Sequence, residues 1–155
     1  MGDKPDLENT VRQILDSRGV AVLATQGGDY PHACLVAFVA SPDLRNLFFV
    51  TGRSTRKFQN IKRDNKVMLL VDDRANTLED FDGATVITGR GSAVPVDTAH
   101  AHGTFSSYLR RHPHLETFAR DKSSVLVKVE IDSYAVVTRF QEVMVLEMGT
   151  EPGKP

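Results

Sequence analysis

What most constrains this chain is the grouping of its apolar residues. Compact runs of β-type composition recur along most of its length, each stopped by a turn signal. Val20–Thr25 stops at Gly27-Gly28-Asp29, and Ala33–Ala40 stops at Ser41-Pro42-Asp43. In the next run, Asn46–Thr51, the residues Leu47, Phe48, Phe49 and Val50 are too continuously apolar for a strand with one wet face. Both of its faces are predicted to be covered. Val67–Val71, Gly83–Val96, Ser124–Ile131 and Tyr134–Glu147 complete a set of six or seven strands, with Gly89 and Gly91 marking bulges where a barrel wall bends.

Helical spacing is confined to short pieces. In residues 5–18, Leu7, Val11, Ile14 and Leu15 repeat at helical intervals, and Gly19 can close the end. Phe58 and Ile61 share one face of a short helix over residues 54–64. Residues 97–111, with Asp97 as cap, and residues 115–120 supply two more helices, while the acidic stretch 72–82 reads as an exposed loop. Such an order does not alternate strand with helix. It predicts a mainly β protein, an antiparallel barrel with peripheral short helices.

Length and charge narrow the function. A chain of 155 residues is expected to form one domain, over residues 1–148, with a flexible tail at 149–155. A net charge of -1 offers no field for nucleic acid or an anionic membrane, so any anion site must be local. The single cysteine, Cys34, forms no intrachain disulfide, the N-terminus is polar, and the apolar runs are too short to span a bilayer. A cytoplasmic protein is expected. His100, His102, His112 and His114 fall on different helical faces with no completing ligand, so no metal site is expected. Gly89-Arg90-Gly91-Ser92 lacks the third glycine and the β-α setting of a dinucleotide fingerprint. No catalytic acid, base or nucleophile is identifiable from spacing.

The segment that carries chemistry is Thr51-Gly52-Arg53-Ser54-Thr55-Arg56-Lys57, between an apolar strand and a helix start. A helix N-terminus offers unpaired N–H groups and partial positive charge. Thr51, Ser54 and Thr55 add hydroxyls, and Arg53, Arg56 and Lys57 add cations that grip phosphate oxygens. Two readings fit the residues alone: a phosphate site, or a well-capped, solvated helix start.

The run V-T-G-R-S-T-R-K-F-Q-N-I-K-R-D-N-K-V-M-L-L-V, from Val50 to Val71, resembles the cofactor core of the pyridoxamine 5'-phosphate oxidase-like family. Thr55 falls where that family has Ser, Arg56 and Lys57 fall on its Arg and Lys, and Ile61 also matches. Upstream, G-V-A-V-L-A-T-Q-G-G-D-Y-P-H-A is similar to the family's first hairpin. The resemblance implies an antiparallel split β-barrel that works as a homodimer, with FMN at the subunit interface. Cys34, Leu35 and Val36 would then run along the flavin ring, and Val50, Thr51, Thr55, Arg56 and Lys57 would line the ribityl-phosphate arm. It also implies an FMN-dependent oxidoreductase served by a nicotinamide or protein electron donor. The alternatives are a non-catalytic electron carrier or sensor, or a related barrel that binds haem or a deazaflavin.

Departures from the pattern are specific. Cys34 stands where the true oxidases carry a ring-contacting Arg, Val39 where they carry a Lys, and Ala84 where they carry a Gln. Their substrate-holding C-terminal Arg and His have no counterpart in V-M-V-L-E-M-G-T-E-P-G-K-P. Oxidation of pyridoxamine 5'-phosphate is therefore not expected, whereas the phosphate grip is intact.

Overall fold

The computed structural model describes residues 4–139 and 142–149. Seven antiparallel strands form one sheet: β1 (Val20–Thr25), β2 (His32–Ala40), β3 (Asn46–Gly52), β4 (Lys66–Asp72), β5 (Val86–Val96), β6 (Ser124–Thr138) and β7 (Glu142–Glu147). Their spatial order is β3-β2-β1-β4-β5-β6-β7, and an additional β3–β6 pairing closes six of them into a barrel, leaving β7 outside the ring. One long strand, β6, pairs with β5 along one edge and serves two further neighbours along the other. Residues 124–130 of β6 pair with β3, and residues 133–138 pair with β7.

Alternation sets the interior. Ala21, Leu23 and Thr25 of β1 point inward, as do Val67, Leu69 and Val71 of β4, and all are buried. The apolar face of α1 (Lys4–Ser17), with Leu7, Val11, Ile14 and Leu15, joins the same core. Its C-terminal carbonyls are taken up by Arg111, whose guanidinium donates to Leu15 O at 3.0 Å, Asp16 O at 2.8 Å and Arg18 O. That contact satisfies acceptors which a helix end leaves open.

β3 is buried from Leu47 through Thr51, as its composition predicts. Both covers come from the chain itself. Leu47 and Phe49 face the barrel interior, while Phe48 and Val50 pack outside under Tyr108 and Ala119. Those two come from α4 (His102–Arg111) and α5 (Glu116–Arg120), with a 3-10 turn at Pro113–Leu115 between them. Double burial of this strand thus needs no second subunit.

Several boundaries differ from the sequence reading. β6 runs through Asp132, because the ladder with β5 jumps from Arg90↔Ser133 to Gly91↔Ile131 and leaves Asp132 as the extra residue of a bulge. Gly91 is obligatory there, since a Cβ would lie 2.0 Å from the Glu130 carbonyl oxygen. Asp97 caps a turn and not α4: its carboxylate accepts from Ala99 N, and its carbonyl from His100 N and Ala101 N. The acidic loop contains a short helix, α3 (Asp80–Gly83), and β5 starts only at Val86. Of the expected tail, only Gly149 is among the described residues.

Candidate functional site

The site begins where two strands part. β2 and β3 are paired only from Phe38↔Phe49 to Ala40↔Leu47. Beyond that point β2 stays paired with β1 on its other side, and β3 with β6. The facing edges at residues 35–37 and 50–52 therefore diverge, and a slot of about 240 Å³ opens between them. Edge N–H and C=O groups in such a gap must find partners outside the ladder.

Below the slot sits α2 (Arg56–Arg63). Thr55 is its N-cap, its hydroxyl accepting from Phe58 N at 3.4 Å. The same hydroxyl donates to Gly52 O at 2.9 Å and lies 3.0 Å from the Thr51 hydroxyl. Since Phe58 and Gln59 bond back to Thr55, the amide N–H groups of Arg56 and Lys57 are the two left for an outside acceptor. Buried Asn60 fixes the helix to the barrel, donating to the Thr25 hydroxyl at 3.0 Å while Arg63 donates to Asn60 Oδ1 at 2.9 Å. This network sets where the helix start points.

The slot gathers Leu35, Val36, Val50, Thr51, Thr55 and Lys57, drawn from three elements. The other two sequence-predicted residues lie elsewhere. Arg56 is exposed on the first turn of α2 and does not line the slot. Cys34 alternates to the inner face of β2, packs against the core, and sits with Sγ 3.9 Å from Leu23 O. Burial pushes its thiol up, and the Lys57 ammonium offsets part of that. Cys34 is thus a packing residue of the core and does not line the slot.

Three wall residues were not legible in the sequence: Tyr108, Leu115 and Phe118, from the helical segment between β5 and β6. Tyr108 is 1% exposed. Its phenol is raised by burial, and the Val50 N–H directed at its oxygen works against this. Tyr108 thus brings a buried phenol to the wall of the slot. No local pattern announces this role, because Tyr108 lies more than 50 residues from the grip.

His112 is buried, with Nε2 2.8 Å from Phe38 O, and His100 pairs with Asp97. Among the described residues no group of His, Cys, Asp or Glu could hold a metal ion, and no helix is long and apolar enough to cross a membrane.

A closed six-stranded antiparallel barrel with a strand-divergence slot over a capped, basic helix start defines the split-barrel class. The chain belongs to the pyridoxamine 5'-phosphate oxidase family, whose model matches residues 7–138. No curated protein matches the sequence. Solved structures share the fold at low identity. A haem-binding protein from Mycobacterium smegmatis is 11% identical with a TM-score of 0.81, over 96% of this chain and 59% of its own. The haem storage protein HutZ from Vibrio cholerae is 15% identical with a TM-score of 0.70, over 90% and 94%. A putative pyridoxamine 5'-phosphate oxidase from Listeria innocua is 20% identical with a TM-score of 0.65, over 84% and 98%.

Proposed function

We propose that the protein is an FMN-binding flavoprotein, an oxidoreductase in which the slot holds the cofactor. The observation that carries this reading is the convergence of Thr51, Thr55, Lys57 and Tyr108 on one narrow cavity at a capped helix start. That donor set fits a phosphate at one end. Lys57 supplies the charge, the N–H groups of Arg56 and Lys57 supply direction, and Thr55 reaches an anion by giving up its bond to Gly52 O. Leu35, Val36 and Val50 offer an apolar flank for a flat ring, and the parted strand edges offer backbone groups to its polar rim. Bound FMN would supply the redox chemistry, the protein contributing orientation and electrostatics. No side chain in the slot is placed as an acid or base for a substrate.

A second copy of the chain fits the same reading. Leu35, Val22, Leu70, Thr88, Ala135 and Val145 are successive cross-strand partners on the outward face, and Leu35 is 71% exposed. Apolar side chains in a row interrupted only by Thr88 mark an interaction surface. In a homodimer this face would close the open side of the slot.

Haem is the second reading, favoured by the two haem-associated structural relatives. Lys57 would suit a propionate as well as a phosphate. Against it, the residues lining the slot include no imidazole or thiol to bind iron. The absorption spectrum of the protein as purified separates flavin from haem. Titration then tests the grip: Lys57→Ala should weaken FMN by about tenfold to a hundredfold, the loss of one charge-assisted hydrogen bond. Riboflavin, without the phosphate, should bind wild type and variant alike. Equal FMN affinity in the variant, or equal loss of both ligands, rejects the proposal.

A further inference from the structure

The slot exists because the β2–β3 ladder stops, and its last pair shows what takes over. In an antiparallel ladder the N–H and C=O of one residue point to the same side, and successive residues alternate. Phe38 N donates to Gly19 O at 3.1 Å, on the β1 side, so the backbone groups of Ala37 face β3. One more step beyond Phe38↔Phe49 in the same register would set Ala37 against Val50. The Val50 N–H would then donate to the Ala37 carbonyl. It is directed instead at the phenol oxygen of Tyr108.

Tyr108 reaches both edges. It is buried in a cluster with Phe48, Val50 and Leu126, and Ala37 and Val39 of β2 pack against that cluster. A buried phenol needs a hydrogen-bond partner, and a parted strand edge needs a substitute for its neighbour. The Tyr108–Val50 contact meets both needs at the first position where the ladder fails. His112 braces it from one helical turn further on, the two ring centroids 5.0 Å apart. His112 Nε2 lies 2.8 Å from the carbonyl oxygen of Phe38, the last residue of β2 before the gap. The neighbouring Arg111 holds the C-terminal carbonyls of α1. The end of α4 is therefore tied to β3 through Tyr108, to β2 through His112 and to α1 through Arg111.

We propose that Tyr108, braced by His112, is a wedge that stops β2 and β3 from zipping together beyond Phe38↔Phe49, so that the slot stands open before any cofactor arrives. Both are positioning residues: they act on a ligand through the separation of the two strands. A gap held open in advance lowers the ordering cost of binding. The purpose of the wedge rests on the cofactor reading of the slot, whereas its action on the strands is measurable without a cofactor.

A disulfide trap on the cofactor-free protein is the first test. In a Cys34→Ser background, Ala37→Cys with Val50→Cys gives a pair that bonds only where the two Cα atoms come within about 7 Å. With Tyr108 present the pair should stay reduced in oxidised glutathione, and adding Tyr108→Ala should speed its crosslinking by about tenfold or more. Tyr108→Phe keeps the ring and removes only the oxygen. In that variant the Val50 amide should exchange with solvent at least about tenfold faster, while the amides of Phe49 and Thr51, which face β6, change by less than about twofold. In the otherwise native chain, Tyr108→Ala should weaken FMN and riboflavin together by about tenfold or more, since a closed slot excludes the ring, whereas Lys57→Ala weakens FMN alone. Four results overturn the wedge: crosslinking equally fast with and without Tyr108, a Val50 amide unmoved in Tyr108→Phe, all three amides speeding up together, or wild-type flavin affinity in Tyr108→Ala. If Tyr108→Ala does not fold, the exchange measurement on Tyr108→Phe decides alone. A wild-type protein that binds no flavin but gives the expected crosslinking and exchange refutes the cofactor reading and leaves the wedge standing.

Discussion

Lys57 and Arg56 are adjacent in the chain and differ in environment. The Lys57 side chain enters the slot, whereas Arg56 projects from the first helical turn into solvent. An exposed cation is screened over about 10 Å at ordinary salt, so Arg56→Ala should cost FMN only about twofold to fivefold where Lys57→Ala costs tenfold or more. Competitive titration at low and high salt checks the gradation, and only the Arg56 effect should fade with salt. Tyr134 gives a prediction of another kind. It is fully buried, its hydroxyl donates to Leu44 O at 2.6 Å, and burial raises its phenol, with Asp43 adding to the shift. The native state retains this proton after the unfolded chain has lost it. Above a pH of about 10 the unfolded state therefore binds fewer protons, and stability must fall as pH rises. Tyr134→Phe should reduce that alkaline slope, leaving the part due to buried Tyr108, and at neutral pH it should cost about 1–3 kcal/mol by stranding the Leu44 carbonyl. Urea unfolding at neutral and alkaline pH measures both.

At the scale of elements, β1, β3 and the first and second helices were legible because their own periodicity and end signals agree. The bulge was legible as a tendency, from Gly89 and Gly91, but not in its register. Asp132 and Ser133 read as a strand break, yet β6 continues because β5 pairs on either side of the extra residue. Gly91→Ala should be among the most damaging small substitutions in the chain, since backbone must move to admit the methyl group. A loss of more than about 3 kcal/mol, or insoluble protein, is the expected result; a normal melting temperature would refute the close approach. The cap of α2 is a milder case. Thr55→Ala should cost about 1 kcal/mol of stability. It should also weaken FMN, whereas Thr55→Ser should restore both, because only the hydroxyl is required.

For the whole molecule, the outward sheet face is the decisive surface. Val145 is exposed on β7 at the end of the apolar row, so Val145→Lys should leave the monomer fold intact. If two copies meet there, burying at least roughly 1,000 Å², the same change should weaken dimerisation by tenfold or more and loosen the cofactor with it. Sedimentation at micromolar concentration, with and without FMN, reads both quantities. A monomer that holds FMN tightly would rule out the shared site.

What the sequence determined by itself was whatever short-range physics specifies. Compact apolar runs and turn residues gave the strands, the spacing of Phe58 and Ile61 gave a helix face, and clustered cations after an apolar strand marked the anion-binding candidate. Tertiary structure alone decided three things. Barrel closure through β3 and β6 placed helical cover over Phe48 and Val50, accounting within one chain for a doubly buried strand. Strand alternation left Leu35 on the exposed outward face and turned Cys34 against the core. The long connection between β5 and β6 folded back to place Tyr108, Leu115 and Phe118 on the wall of the slot that Lys57 also lines. Each depends on contacts between residues far apart in the chain, and neither periodicity nor local charge encodes which distant surface a segment will meet.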